Sequence, residues 1–391
     1  MNNPANPISV LMFCPQFAPL VGGTERQAGK LAIALAERGH RVRVLTPLLD
    51  PRSARLETMA GVEIHRFPLW DLSSSLPLRG IGLLNIPFLS WQLGRTLVPF
   101  LREADILHAH SGGLLSALAI RHAAKALCST VCKVAIASPT EVELLSHLPL
   151  RGGRMLTSLA RDTSAWIAIS QQIATELLGL GIPQGRINLI PNGVELPEPR
   201  ERCRPVRRLL HVGRLSSNIN RDVPTLLRAF DRVAHLYPDA ELTLVGGGDL
   251  LEQTRAITAG LETAAKIKIM GWSDATPWYE WADAYIQPSR QEGLSNALLE
   301  AMSHGLPCIA NDIPANREVL NNCDAGMLAP IGDVNALSRQ LAELMASPAL
   351  AAELGKRARA SAKARYAIDV VAEQTEETYR QVLRYKHEVR S

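Results

Sequence analysis

The chain has few cysteines for its length. Six are spread over 391 residues, and only Cys128 and Cys132 lie close together. No Cys-x2-Cys pair occurs, which argues against a structural zinc site and against the disulfide framework of a secreted scaffold. Aromatic residues make up 5% of the chain and no basic run occurs, a poor basis for nucleic-acid binding. No apolar run reaches the roughly 18 residues of a spanning helix. The nearest, residues 80–94, lies between Arg79 and Arg95 and is interrupted by Pro87. Met1 to Pro7 lacks the basic-then-apolar pattern of a secretory leader. Asp-x-Asp is absent, and no His/Cys cluster suits a catalytic metal. The expected compartment is the reducing cytoplasm.

What is present is ordinary globular material. Apolar residues account for 47% and charged residues for 20%. The length predicts two domains, each large enough to bury a core without staples. The net charge of +4 is unevenly placed. Residues 1–190 hold 18 Lys/Arg against 12 Asp/Glu, and the remainder 24 against 26. A basic first half suits an anionic lipid surface or a phosphorylated substrate, while an ordinary solvated surface accounts better for any single residue in it.

Hydrophobic patterning alternates between strand and helix. Ile8 to Phe13 reads as a buried strand, followed by a loop with Gly22-Gly23. Thr24 to Gln27 reads as a capping box with Thr24 as N-cap, and Gly39 ends the helix. Val42 to Leu45 is the next strand, completing a βαβ unit of a parallel, doubly wound sheet. Further strands are predicted at 106–108, 134–137 and 166–169. Three prolines among charges at 195–205 mark a linker, after which the grammar restarts. Strands are predicted at 208–212, 240–245, 267–270, 284–287 and 308–310. Helices follow at 225–236, 336–345, 350–365 and 370–382.

The most informative stretch runs from Gln287 to Met302. A buried strand ends at Pro288, a loop follows, and a helix begins with Ser295 or Asn296 as cap. Ligands of open α/β sheets bind at such loops, and a helix N-terminus attracts anions. Glu292 and Glu300 bracket it. Carboxylates repel phosphate but accept hydrogen bonds from hydroxyls, so a diphosphate carrying hydroxylated rings fits both demands. Two exposed helix-end carboxylates fit the pattern equally well.

Taken in order, these motifs resemble the retaining GT-B-fold glycosyltransferases of family 4 over almost the whole chain. They are Gly22-Gly23-Thr24-Glu25, Arg38 to Val42, His108-Ala109-His110, Ile167 to Ser170, Ile190 to Val194, Val212 to Leu215, Leu244 to Gly248, and Glu292-x7-Glu300. The resemblance implies two facing Rossmann-like domains with the active site in the cleft between them. Residues 1–194 would form an acceptor-binding domain, joined by a terminal helix at 371–391. Residues 195–370 would bind the donor. It implies that Glu292 contacts donor-sugar hydroxyls and Glu300 the ribose, with Gly293, Leu294, Ser295 and Asn296 holding sugar and diphosphate through backbone N–H groups. Arg214 matches the family's diphosphate arginine. Arg221 stands for the lysine that usually follows, in a loop about two residues longer. The base would lie near Gly246 and Met270. The implied reaction is metal-independent, needs no cofactor beyond the donor, and transfers a hexose-type sugar with retention to a glycan or lipid-linked acceptor.

Some assignments keep two readings. His110 either contacts sugar or acceptor, or is a structural histidine at a strand end. Gly23, with Gly22, either brings amides near the diphosphate or makes a tight turn. Ala137 to Thr140 stand where the family often carries a histidine. The 80–94 stretch, with Arg102, either docks on a bilayer or is a core helix broken by Pro87. Rival functions are a nucleotide-sugar epimerase on the same architecture and a catalytically silent binding subunit. The former would need extra acid/base carboxylates and the latter would lack a paired glutamate or the phosphate arginine.

Overall fold

A computed structural model describes residues 6–19, 22–72, 82–136, 140–146, 152–199, 204–217, 221–320 and 324–390. Contacts divide the chain into two units. The first is Met1–Gly193 with Ile368–Ser391, and the second is Val194–Ala367.

In the first unit the strands are β1 (Ser9–Phe13), β2 (Arg41–Pro47), β3 (Leu56–Met59), β4 (Val62–Phe67), β5 (Ile106–Ala109), β6 (Ser129–Val134), β7 (Ala165–Ala168) and β8 (Ile187–Leu189). Their order is β3-β4-β2-β1-β5-β6-β7-β8, parallel except for β3 against β4. The middle strands β5, β6 and β7 are buried throughout, as expected where helices cover both faces of a parallel sheet. The second unit holds β9 (Arg208–Val212), β10 (Glu241–Val245), β11 (Ile267–Ile269), β12 (Ala284–Gln287), β13 (Cys308–Asn311) and β14 (Gly326–Ala329). Its all-parallel order is β11-β10-β9-β12-β13-β14.

Three sequence expectations need correction. The strand expected at 134–137 instead ends at Val134, because β6 buries Ser129, Thr130 and Lys133, residues that patterning assigns to a surface. Thr24 is not the N-cap. The helix Gly23–Glu37 is capped by extended Gly22, and the Glu25 carboxylate folds back over it, so that an added Cβ at Gly22 would meet Glu25 Oε2 at 2.0 Å. Pro87 does not break the apolar stretch. The helix Gly82–Leu101 runs through Pro87 and Pro99. Its Leu89, Leu93, Leu97 and Leu101 are at most 2% exposed. Each such burial is worth roughly 1.5–3 kcal/mol, which together outweigh the roughly 3 kcal/mol of an interior proline. Among the described residues no helix is long and apolar enough to cross a membrane.

The last helix, Ile368–Arg390, closes the first unit against Gly23–Glu37. Glu376 receives Arg38 Nε at 2.8 Å and Arg380 Nε at 2.9 Å, and His40 Nε2 lies 3.3 Å from it. The buried Tyr379 hydroxyl meets His108 Nδ1 at 2.6 Å. Burial pushes the Glu376 carboxyl up, but the hydrogen bonds from Arg380 and Arg38 and the nearby His40 outweigh it and bring the carboxyl down to about 2.

A folded-state pKa below the unfolded value of about 4.3 means that Glu376 stabilises the fold fully above that pH and loses its effect as pH falls towards 2. Glu376→Gln should therefore melt several degrees below wild type at pH 7, with the gap narrowing between pH 5 and pH 2. A gap that is constant over that range would show that the charge of Glu376 does not matter.

Candidate functional site

Each sheet reverses direction once. From β9 the chain moves outward through β10 to β11, and then returns to lay β12, β13 and β14 on the other side. The carboxyl ends of β9 and β12 therefore flank a switch point, where open α/β sheets bind ligands. Two loops emerge there, one after Val212 and one after Gln287. They are tied together by an antiparallel bridge between Arg221 and Ser289 and by Asp222 N–H donating to the Pro288 carbonyl.

The second loop is built around Glu292. Polar residues at alternate positions leave the apolar strand: Tyr285, Gln287 and Ser289. The Tyr285 hydroxyl donates its one proton to Gln287 Oε1, the nearer acceptor, with the Val212 carbonyl also within reach. Gln287 Nε2 donates to Glu292 Oε1 at 3.0 Å, and Ser289 Oγ donates to the same oxygen at 2.8 Å. Arg221 Nη2 lies 3.2 Å from it, while Arg221 Nη1 donates to Ser289 Oγ at 3.1 Å. All these groups converge on Oε1. Oε2 of Glu292 has no partner among the described residues. The carboxylate is fixed on one oxygen and available on the other.

Gly293 follows half-buried, Leu294 and Ser295 are buried, and Asn296 opens the helix Asn296–Ser303. Ser295 is its N-cap and accepts from Leu298 N–H at 3.3 Å, so the amides of the first turn point towards the loop. Glu300 lies on the same helix, where its Oε2 accepts from the Tyr279 hydroxyl at 3.1 Å. Gly305, at φ +69°, ends that helix in the left-handed conformation that glycine supplies.

Arg214 sits on the loop after β9, half-buried, with its guanidinium 5.9 Å from the Trp272 ring centroid. No carboxylate pairs with it among the described residues, in contrast to Arg221. Its loop is held from beneath by the glycines after β10. Leu215 N–H donates to the Gly247 carbonyl at 2.9 Å, and Gly246 N–H to the Gly271 carbonyl at 2.8 Å. Gly246 has φ +141°, and a Cβ there would lie 2.0 Å from the Gly213 carbonyl oxygen. Asp249 accepts from the Ser216 and Ser217 hydroxyls and from Ser217 N–H, and these bonds hold its carboxyl down at about 2. Met270 and Trp272 follow β11 and are 42% and 59% exposed.

The first unit has its own switch point, between β1 and β5. Gly23 opens the helix after β1, and His110 follows β5. His110 is 2% exposed, and among the described residues neither ring nitrogen meets a partner in good hydrogen-bond geometry. Burial, then Lys133, then His108 push its pKa well below the ordinary value, opposed by the Thr24 backbone. The imidazole is therefore neutral near pH 7. Of the residues at 137–140, only Thr140 lies within the described residues.

The profile described as Glycosyl transferases group 1 matches residues 206–347, and that of the Glycosyl transferase 4-like domain matches residues 22–193. The chain belongs to the group 1 glycosyltransferases. This glycosyltransferase is 29% identical over 395 residues to a phosphatidyl-myo-inositol mannosyltransferase of Mycobacterium leprae, covering 95% of this chain and 96% of the relative. It is 23% identical over 399 residues to an N-acetyl-alpha-D-glucosaminyl L-malate synthase of Bacillus anthracis, covering 94% and 96%. Among solved structures, Anabaena HepE in complex with UDP is similar at a TM-score of 0.73 and 19% identity, over 96% of this chain and all of that one. Sucrose-phosphate synthase from Thermosynechococcus elongatus is similar at 0.74 and 21%, with the same coverage. These likenesses carry the fold, which is GT-B.

Patterning does not single out the supports of the candidate site: Tyr285, Gln287, Ser289, Tyr279, Asp249 and Trp272. The alternate polar residues running out of the apolar strand were a usable signal for the first three. Gly246→Ala forces a side chain onto the Gly213 carbonyl at a φ that favours glycine. It should destabilise the second unit by roughly 1–3 kcal/mol, read as a lower denaturation midpoint. An unchanged midpoint would show that the loop pairing is slack.

Proposed function

We propose that this glycosyltransferase moves a hexose-type sugar from a nucleoside-diphosphate donor to a glycan or lipid-linked acceptor, with retention at the anomeric carbon and without a metal. The observation that carries the reading is Glu292, fixed by Gln287, Ser289 and Arg221 through one oxygen with the other left to accept hydroxyls. On the loop after β9 stands the Arg214 guanidinium, which no carboxylate pairs among the described residues, and a capped helix start follows Glu292 in sequence. Breaking the glycosidic phosphate bond loads charge onto the departing diphosphate, and preorganised donors stabilise such charge. Arg214, Arg221 and the amides from Gly293 to Asn296 supply this stabilisation in place of a divalent cation. Glu292 orients the sugar, and Glu300, fixed by Tyr279, takes the ribose. Trp272 and Met270, with the Gly246 turn, offer the apolar surface for the base. We assign His110 to the transferred sugar or the acceptor, and the Gly23 amide to the diphosphate. We assign the product to cell-surface polysaccharide or glycolipid synthesis.

The chain would work in the cytoplasm with peripheral membrane contact. The supporting feature is the helix Gly82–Leu101, where Trp91 is 55% exposed, stacks on Phe88 and carries the Arg95 guanidinium 5.2 Å from its ring. An aromatic and a cation side by side suit a lipid interface.

The test is a thermal-shift screen of UDP, GDP and their sugars, followed by hydrolysis assays on the best donor with and without EDTA. At least one nucleoside diphosphate should raise the melting temperature, and EDTA should leave the rate unchanged. Failure of every nucleotide to stabilise the chain would sink the reading. Arg214→Ala should lose about 10²–10³-fold in kcat, the usual cost of removing one transition-state donor, while melting within a few degrees of wild type. Full turnover in that variant would remove Arg214 from the reaction.

A further inference from the structure

The first unit buries polar side chains that the donor site does not use. β5 and β6 run in parallel register, with Leu107 opposite Thr130 and Ala109 opposite Cys132. The next positions, His110 and Lys133, therefore stand side by side. Alternation places His108 on the same face, and its ring stacks on that of His110 with centroids 5.5 Å apart. Cys14 follows β1 on the other flank of His110. All four residues are at most 2% exposed.

Their hydrogen-bonding capacity is mostly unspent. Tyr379 takes His108 Nδ1, and among the described residues His108 Nε2 and the two nitrogens of His110 meet no partner in good hydrogen-bond geometry, with the Thr24 backbone acting on His110. Lys133 is not held by an acid among the described residues, and burial alone pushes its ammonium down to about 7. The buried acid near these strand ends, Glu141, is engaged by the N–H groups of Gly112, Ala135 and Ile136. Glu25 acts on the Cys14 thiol, which burial already raises and keeps neutral. Tyr379 is likewise kept neutral by burial. The facing groups thus offer positive charge and N–H donors, and among the described residues neither Glu141 nor Glu25 pairs with them.

Such an arrangement is costly. An interior amine without a partner destabilises the fold, and methionine would fill the same volume at no such cost. It stands at the carboxyl ends of parallel strands, where ligands of α/β sheets bind. The dipole of Gly23–Glu37 adds further positive potential at its start.

We propose that Lys133, His108 and His110 form a subsite for an oxyanion, a phosphate or carboxylate carried by the acceptor. This rests on the transferase reading, which supplies the acceptor. The oxyanion accepts hydrogen bonds from the Lys133 ammonium and from an imidazole N–H. Its charge favours the protonated amine, so binding above neutral pH draws a proton from solvent onto Lys133 Nζ. The same anion gives the N–H of each imidazole an acceptor.

The test is titration calorimetry on the full chain, with the donor site first saturated by the nucleoside diphosphate that stabilises it best. Inorganic phosphate is titrated in one arm and acetate in the other, at pH 8 in two buffers of different ionisation enthalpy. At least one ion should bind with proton uptake. Lys133→Met should abolish the uptake and weaken binding at least tenfold, while nucleotide affinity stays within twofold and the melting temperature is equal or higher. Absence of binding by both ions, binding without uptake in the wild-type chain, or unchanged binding in the variant would each overturn the subsite. Nucleotide binding with no anion binding leaves the transferase reading standing and removes only the subsite. If no nucleotide binds, both fall.

Discussion

A carboxylate at the end of an apolar strand needs donors of its own, or it will either take up a proton or turn out to solvent. Glu292 has three, and they come from different parts of the chain: Gln287 from β12, Ser289 from the turn, and Arg221 from the loop after β9. Arg221 reaches it because β9 and β12 are neighbours, the one place in the second sheet where strands far apart in sequence are laid together from opposite directions of winding. The orientation of the Glu292 carboxylate is thus a consequence of strand order. The glycines after β10 serve the same end from below, letting the Arg214 loop lie flat on its neighbour.

The two units divide their polar residues differently. In the second, the cations are either paired, as with Arg221, or half-exposed, as with Arg214. In the first, an amine and two imidazoles are sealed at the strand ends, and among the described residues no acid pairs with them. A diphosphate brings several negative charges and can be met by exposed guanidinium groups in competition with water. A single charged group is gripped firmly only where water is excluded.

Much of this was legible in the residues. The strands Arg208–Val212 and Ala284–Gln287 follow from apolar runs bounded by turn signals, and the cap was narrowed to Ser295 or Asn296, of which the helix uses Ser295. The Glu292 to Glu300 spacing marked the loop. What stayed hidden depends on register or on tertiary rescue. Lys133 lies inside β6, and a charged residue weakens any strand pattern, so the strand was placed five residues late. Pro87 signals a break, but a leucine stripe on the same helix overrides it. Glu25 rather than Thr24 covers the start of the first helix because Gly22, with no side chain, leaves the carboxylate room to fold back. The partnership of Arg221 with Glu292 links loops some seventy residues apart, and no local pattern reports it.

The first unit is discontinuous in sequence, and that has a consequence during synthesis. Residues up to Gly193 leave the ribosome early, but the hydroxyl that meets His108 and the carboxylate that gathers Arg38 and His40 belong to Tyr379 and Glu376. The nascent amino-terminal half must wait, with the face of Gly23–Glu37 uncovered, while all of Val194–Ala367 is made and is free to fold first. The order of translation is therefore not the order of completion, and the portion made earliest is the last to be sealed.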